Sequence, residues 1–445
     1  MTDAAMAPYL KALEGAVLYA REGSVRQVAG LVVSCTGPDA SLGELCRISS
    51  QSGEAEILAE VVGVRPDGVV LMPYGRLDGV ASGCRVIVAG SLAGVPVGPG
   101  LLGRVVNAFC EPLDDGPPLE SEAYVPLKAA PINPLHRKPI DAPLETGVRV
   151  IDAMLPLGQG QRVGIFAGSG VGKSTLLGML ARSVKADVNV IALIGERGRE
   201  VRDFVERQLG PEALAHSVVV VATSDEPALM RARATYAALA ISEYFRDQGK
   251  SVFLTMDSVT RYAMARREIG LAAGEPPTAR GYTPSVFSEI PELCERCGRL
   301  DSGGSISAIF TVLVEGDDFN EPIADSLRAT LDGHIILSRD LAHRGHFPAV
   351  DVLRSASRLV SELTTKEERA AMVRASACLA LLERNRQMVD IGAYQAGSNP
   401  ELDAALAIAP ALDEWLRQDT DAPDTRASAF AALADVLGML HRDMA

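Results

Sequence analysis

The run Ala167-Gly168-Ser169-Gly170-Val171-Gly172-Lys173-Ser174-Thr175 brings three glycines, one lysine and three hydroxyl groups together in nine positions. An apolar stretch, Val163-Gly164-Ile165-Phe166, precedes it, and a good helix former, Leu176–Arg182, follows. Strand, glycine-rich loop and helix, in that order, are what a phosphate-binding loop requires. The glycines let successive backbone N–H groups of Gly168, Ser169, Gly170, Val171 and Gly172 curl around phosphate oxygens. The helix N-terminus near Ser174 and Thr175 adds its partial positive charge. Lys173 would reach the β- and γ-phosphates, and the Ser174 hydroxyl could ligate Mg²⁺. The strict pattern has a glycine where Ala167 stands, but the glycines inside the loop preserve the turn.

Two carboxylates complete the chemistry. Ile191–Ile194 is an apolar strand that ends at Gly195-Glu196-Arg197-Gly198-Arg199-Glu200. A carboxylate at the C-terminal tip of a central strand points into the crevice where α/β sheets bind ligands. Glu196 is thus a candidate for polarising an attacking water; on position alone, a solvated strand-end glutamate is an equal alternative. Val252–Met256 is a second apolar strand, and it ends in Asp257, placed to hold Mg²⁺ through its water shell. Phosphoryl transfer also needs positive charge on the γ-phosphate, for which Arg197, Arg261 and Arg358 are candidates. An arginine supplied by a neighbouring subunit would couple hydrolysis to assembly.

These residues need strands with aligned C-terminal ends. From Arg149 to Arg358, apolar segments alternate with helical ones: Val163–Phe166, Val188–Ile194, Val218–Ala222, Val252–Met256, Ser307–Val314 and Ile335–Ser338 are the expected strands. That alternation specifies an α/β domain with a largely parallel sheet. Upstream, residues 25–95 carry short β-rich runs (Val28–Ser34, Ile57–Val64, Val69–Met72) punctuated by Gly, Pro and Asp, the pattern of a small all-β barrel or sandwich. Residues 112–145 are proline-rich and read as an extended connector. After Arg358 the chain is rich in Ala, Leu, Glu and Arg and should be helical. Residues 4–20 show helical spacing of Met6, Leu10, Leu13, Val17 and Leu18, an amphipathic helix. The expected domains are therefore 1–22, 23–97, 98–358 and 359–445.

Composition bounds the partners. The chain has 445 residues, 47% hydrophobic and 22% charged, ordinary for a globular protein of about three domains. Its net charge of −14 argues against nucleic acid as a default partner. Seven scattered cysteines suit a reduced, intracellular setting, with no signal peptide and no membrane span expected. Cys294 and Cys297 form a C-x-x-C pair without further ligands nearby, so they are expected to be inert thiols.

The motifs resemble a known family. Gly195–Val201, Ala222-Thr223-Ser224-Asp225-Glu226-Pro227, Asp257–Ala263, Gly274-Glu275-Pro276-Pro277, Arg280–Phe287, Val314–Asp325, Leu331–Arg339, His346–Val352 and Ser355-Ala356-Ser357-Arg358 look like the flagellar and type III secretion ATPases, most densely over residues 90–400. The resemblance implies an α/β fold, with a RecA-like P-loop ATPase core between an N-terminal β-barrel and a C-terminal helical domain, assembling as a hexamer with ATP and Mg²⁺ as its cofactors. It implies Glu196 as the catalytic glutamate. Arg197, Glu200 and Arg261 would order the γ-phosphate, the metal water and that glutamate, and Arg358 would be the finger acting on a neighbour's site. Phe347 falls where the related family has a tyrosine packing on adenine; the stacking face is kept and the hydroxyl lost. It further implies export substrates and chaperones, a regulator on the N-terminal helix, a central stalk protein, and a cytoplasmic place at the membrane's inner face, reached through partners. Flagellar and injectisome versions share the motifs, with overall similarity leaning flagellar.

Three other readings compete. A rotary ion-pumping subunit would share the core, but the run Asp257–Tyr262 favours export. An RNA-translocating ring would need stacking aromatics on a basic face, whereas residues 25–95 hold one aromatic, Tyr74, and no basic cluster. A non-enzymatic scaffold is disfavoured by the joint presence of Lys173, Glu196 and Asp257.

Overall fold

The computed structural model describes residues 19–53, 55–91, 94–314, 316 and 318–442. The expected N-terminal helix falls mostly on residues 1–18, outside the described ones. Of its described end, residues 19–21 are irregular and Glu22 begins the first strand.

Six strands, β1 (Glu22–Ala29), β2 (Val32–Thr36), β3 (Glu44–Ser49), β4 (Glu56–Arg65), β5 (Gly68–Pro73) and β6 (Arg85–Ser91), pair antiparallel in the order β1-β2-β5-β4-β3-β6 and close into a barrel. Period-two alternation turns Val33, Cys35, Cys46, Ile48, Val69, Leu71 and Val86 inward. Closure leaves no strand edge unpaired. The single strand expected over Val28–Ser34 is instead a hairpin, because Gly30 (φ 59°) turns the chain and Ala29 pairs with Val32. The apolar residues on both sides of Gly30 hid that turn.

The proline-rich connector contributes only short pieces, among them Ala123–Val125 and Pro143–Leu144. Beyond it lies a nine-stranded sheet. Its main path uses β7 (Arg104–Val106), β8 (Arg162–Ala167), β9 (Val188–Ile194), β10 (Ser217–Ala222), β11 (Ser251–Asp257), β12 (Ser305–Leu313), β13 (Gly333–Leu337) and β14 (Ala356–Ser357), in the order β14-β13-β8-β12-β11-β9-β10-β7. All six expected strands are present and mutually parallel. The two edge strands β7 and β14 were not foreseen; at three and two residues they carry no readable periodicity. Every residue of β9 and β10 is buried, as expected of strands covered on both faces.

Parallel pairing puts the C-terminal ends of β8, β12, β11 and β9 on one edge. From that edge run α1 (Lys173–Ser183), α2 (Gly198–Asp203) and, beyond an unlabelled helix over Ala228–Asp247, α3 (Val259–Ala273).

The C-terminal part is helical: α4 (Lys366–Asp390), α5 (Pro400–Leu416) and α6 (Arg426–Arg442). Thr365 and Glu368 form a reciprocal capping box at the start of α4. Trp415 packs in the shared core and donates its indole N–H to the Ala429 carbonyl at 3.2 Å. Among the described residues, no helix is long and apolar enough to cross a membrane.

Candidate active site

The loop between β8 and α1 has the backbone its glycines allow: Gly170 and Gly172 sit at φ 77° and 88°, left-handed values that other residues adopt at a cost. Val171 is buried and anchors the loop, while Ser169, Gly170 and Ser174 face solvent. Leu176 donates back to Gly172 and so starts the helix directly after the loop. The sequence therefore builds a cradle of N–H groups capped by a helix N-terminus.

Three charged groups converge beneath it. The Lys173 ammonium forms a close ion pair with Asp257 Oδ1 and lies 3.5 Å from Glu196 Oε1. Asp257 is 3% exposed at the tip of β11. Burial, the first cause, pushes the Glu196 carboxyl up to about 7; Lys173 opposes the shift, while Asp257 and Glu200 add to it. Burial also works upward on Glu200, but the hydrogen bond with Glu196 and the charge of Arg197 hold it below its ordinary value. A carboxylate poised near neutrality beside an ammonium and a metal-type aspartate is the electrostatic pattern of an acid–base site.

Thr311 joins the cluster without a motif to mark it. It lies within β12, fully buried, and donates to Asp257 Oδ1 at 2.7 Å. The available signal was a hydroxyl near the C-terminal end of an apolar strand. Gly195 has a role that its place in the motif does not reveal. At φ 71° it is left-handed, and a Cβ there would stand 2.8 Å from Arg261 Cβ and 3.0 Å from its Cγ. The glycine lets the arginine stem pass the strand end that carries Glu196. Gly195→Ala is expected to cost about 1–2 kcal/mol of backbone strain and to displace Arg261. Thermal unfolding and turnover would both fall; a variant with unchanged turnover would separate the Arg261 position from activity.

Arg197 is largely exposed and reaches Glu200 Oε1 at 3.3 Å. Phe347 is 46% exposed. Its ring lies over the phosphate loop, close enough that a Cβ on Gly172 would meet Cδ1 and Cε1 at 3.3 Å. Its carbonyl accepts from the Gln418 backbone N–H at 3.0 Å.

Arg358 is the one candidate that the fold does not bring to this cluster. Its N–H donates to Asp332, whose N–H donates to Arg162 at the start of β8. The phosphate loop leaves the other end of that strand, about 16 Å away at the usual strand rise. The exposed guanidinium donates to the Arg328 carbonyl at 3.0 Å.

The oxygen donors suit a hard cation. Thr311 and Lys173 both engage Oδ1 of Asp257, and the Ser174 hydroxyl is exposed on the same edge; Mg²⁺ takes oxygen ligands and keeps several waters. Among the described residues, no group of three or more His, Cys, Asp or Glu forms a metal-holding cluster. Cys294 and Cys297 are wholly buried, and burial pushes the Cys297 thiol up to about 12 and Cys294 higher still.

Three family models match the chain. The β-barrel domain of the ATP synthase alpha/beta family covers residues 25–90, and that family's nucleotide-binding domain covers 147–357. The EscN ATPase C-terminal domain of type III secretion systems covers 364–435. A "Flagellum-specific ATP synthase" of Bacillus subtilis (strain 168) is 51% identical over 94% of this chain and 96% of its own length. A "Type 3 secretion system ATPase" of Xanthomonas euvesicatoria is 48% identical over 90% of each. The assembled ATPase EscN of enteropathogenic E. coli, solved alone and in complex with its central stalk EscO, superimposes with TM-scores of 0.88 and 0.85. Both structures are 41% identical and match over 93% of this chain and 100% of theirs.

Proposed function

This chain belongs to the family of the flagellum-specific and type III secretion ATPases, and we propose that it hydrolyses Mg-ATP to drive protein export through such an apparatus. The observation that carries the reading is Lys173 held between Glu196 and Asp257 under the glycine loop. The match of residues 364–435 to a secretion-type C-terminal domain favours export over ion pumping.

The roles divide by position. Backbone N–H groups of Gly168–Gly172 hold the phosphates, with Ser174 and Thr175 at the helix start, and Phe347 packs on the base. Lys173 swings from the carboxylates to the β- and γ-phosphates, leaving Glu196 free to take the proton of the attacking water. Asp257, oriented by Thr311, and Ser174 would hold Mg²⁺, with Glu200 placed to order a water beside it; when bound, the ion would neutralise charge on the phosphate oxygens. Arg197 and Arg261 order the transferred group. Arg358, a strand's length from its own loop, serves the site of the next copy. That division implies a homo-oligomeric ring, a hexamer in the reading of the motifs. A central stalk, an N-terminal regulator, substrates and chaperones would act on this ring at the inner face of the cytoplasmic membrane.

Purified chain is expected to hydrolyse ATP with Mg²⁺ and to lose that activity with a chelator. Glu196 must be ionised to act and its carboxyl sits up to about 7. Hence kcat/KM, which reports the free enzyme, should fall as pH drops through that value and level off above it. Absence of hydrolysis at every pH and protein concentration would overturn the reading.

A further inference from the structure

Beside the catalytic cluster, under the stem of Arg261, lies a separate cavity of about 190 Å³. Its walls include Thr260, Arg261, Arg267, Arg280, Tyr282 and Glu321. Three guanidinium groups thus face one carboxylate. Arg280 is paired with Asp318, outside the lining, at 2.6 Å and lies 3.7 Å from the cavity's own Glu321. Arg267 lies over the Tyr282 ring, 5.3 Å from its centroid. Among the described residues neither Arg261 nor Arg267 forms an ion pair, and the buried Arg261 Nε has no hydrogen-bond partner. The backbone adds a third sign: Arg280 is held at φ 53°, a left-handed value unusual for a side chain of its size. Such strain persists only where surrounding contacts over-determine it, and it clusters at ligand-binding positions.

We infer that this cavity is a second anion site, which takes inorganic phosphate next to the nucleotide site. Two uncompensated guanidinium groups and a threonine hydroxyl suit a small tetrahedral oxyanion. The volume suits it too. A phosphate needs on the order of two or three water volumes, roughly 60–90 Å³, so the cavity has room for it. Arg261 is common to both sites, so phosphate cleaved at the loop reaches the cavity by passing one side chain. The inference rests on the hydrolase reading for the origin of the anion, but the site itself does not require turnover.

The test uses the full chain saturated with Mg²⁺ and the β,γ-imido analogue of ATP, which fills the γ-phosphate position of the loop. Equilibrium dialysis with labelled inorganic phosphate should then find one further phosphate per chain. Arg267→Gln should weaken its binding at least about tenfold, Arg267→Lys should retain most of it, and Arg280→Gln should weaken it less. Thermal unfolding checks that Arg267→Gln is folded despite its lost stacking; if it is not, the exposed Arg280→Gln carries the comparison. No phosphate bound beside the analogue, or equal binding by the wild-type chain and the folded Gln variant, overturns the site. A chain that hydrolyses ATP but binds no second phosphate loses this inference alone. A chain that binds the phosphate but never hydrolyses ATP loses the hydrolase reading alone.

Discussion

Glu196→Gln is expected to lower kcat by about 10²- to 10⁴-fold, the range for loss of a positioned base, while leaving ATP bound. The substitution keeps the shape of the side chain and removes its charge and its ability to take a proton. Lys173 stays anchored, because its closer contact is with Asp257 and that pair is untouched. The weaker 3.5 Å attraction to Glu196 disappears, so the ammonium is released more readily toward the phosphates and nucleotide affinity should hold or rise. Two readouts separate chemistry from folding. Binding of a fluorescent ATP analogue should be retained, and the decline of kcat/KM below about pH 7 should vanish from the residual activity, since the titrating group is gone. Near-normal turnover would remove Glu196 from its role. A variant that no longer binds nucleotide would mean that the carboxylate is structural.

That Glu196, Asp257 and the glycine loop meet is legible in the sequence, because each stands at the end of an apolar strand and parallel strands align their C-terminal ends. The strands themselves were legible for the same reason: buried on both faces, they are long apolar runs. What sequence could not give was set by contacts between distant segments. Thr311 reads as one hydroxyl in a hydrophobic strand until β12 lies beside β11 and its Oγ1 meets Asp257. The room that Gly195 leaves for Arg261 exists only once α3 packs at that strand end. The barrel hairpin at Gly30 failed in the opposite way: local periodicity ran straight through a residue whose backbone reversed the chain. Arg358 shows the limit most plainly, since the resemblance assigns it to a neighbour's active site and the single chain shows only that it stands a strand's length from its own.

Arg358→Ala should therefore show its effect only where chains meet. Wild-type Mg-ATPase activity per subunit is expected to rise steeply with protein concentration as interfaces form, whereas the variant should stay near the dilute level. The full loss should approach about 10³- to 10⁵-fold if the residue acts as a trans-supplied arginine. Removing the side chain leaves its backbone pairing with Asp332 intact, so nucleotide binding and stability should change little. A wild-type chain that hydrolyses ATP as fast when dilute as when assembled would refute the trans assignment. The sharper experiment mixes two inactive proteins. A ring of Glu196→Gln and Arg358→Ala chains contains interfaces where the intact acid of an Arg358→Ala chain faces the intact arginine of a Glu196→Gln neighbour. In a closed head-to-tail ring mixed at random in equal amounts, about a quarter of the interfaces have that arrangement. Activity should reappear toward that fraction of wild type. If both residues served the same chain's site, no mixture could restore it, because every copy would carry one defect within its own site.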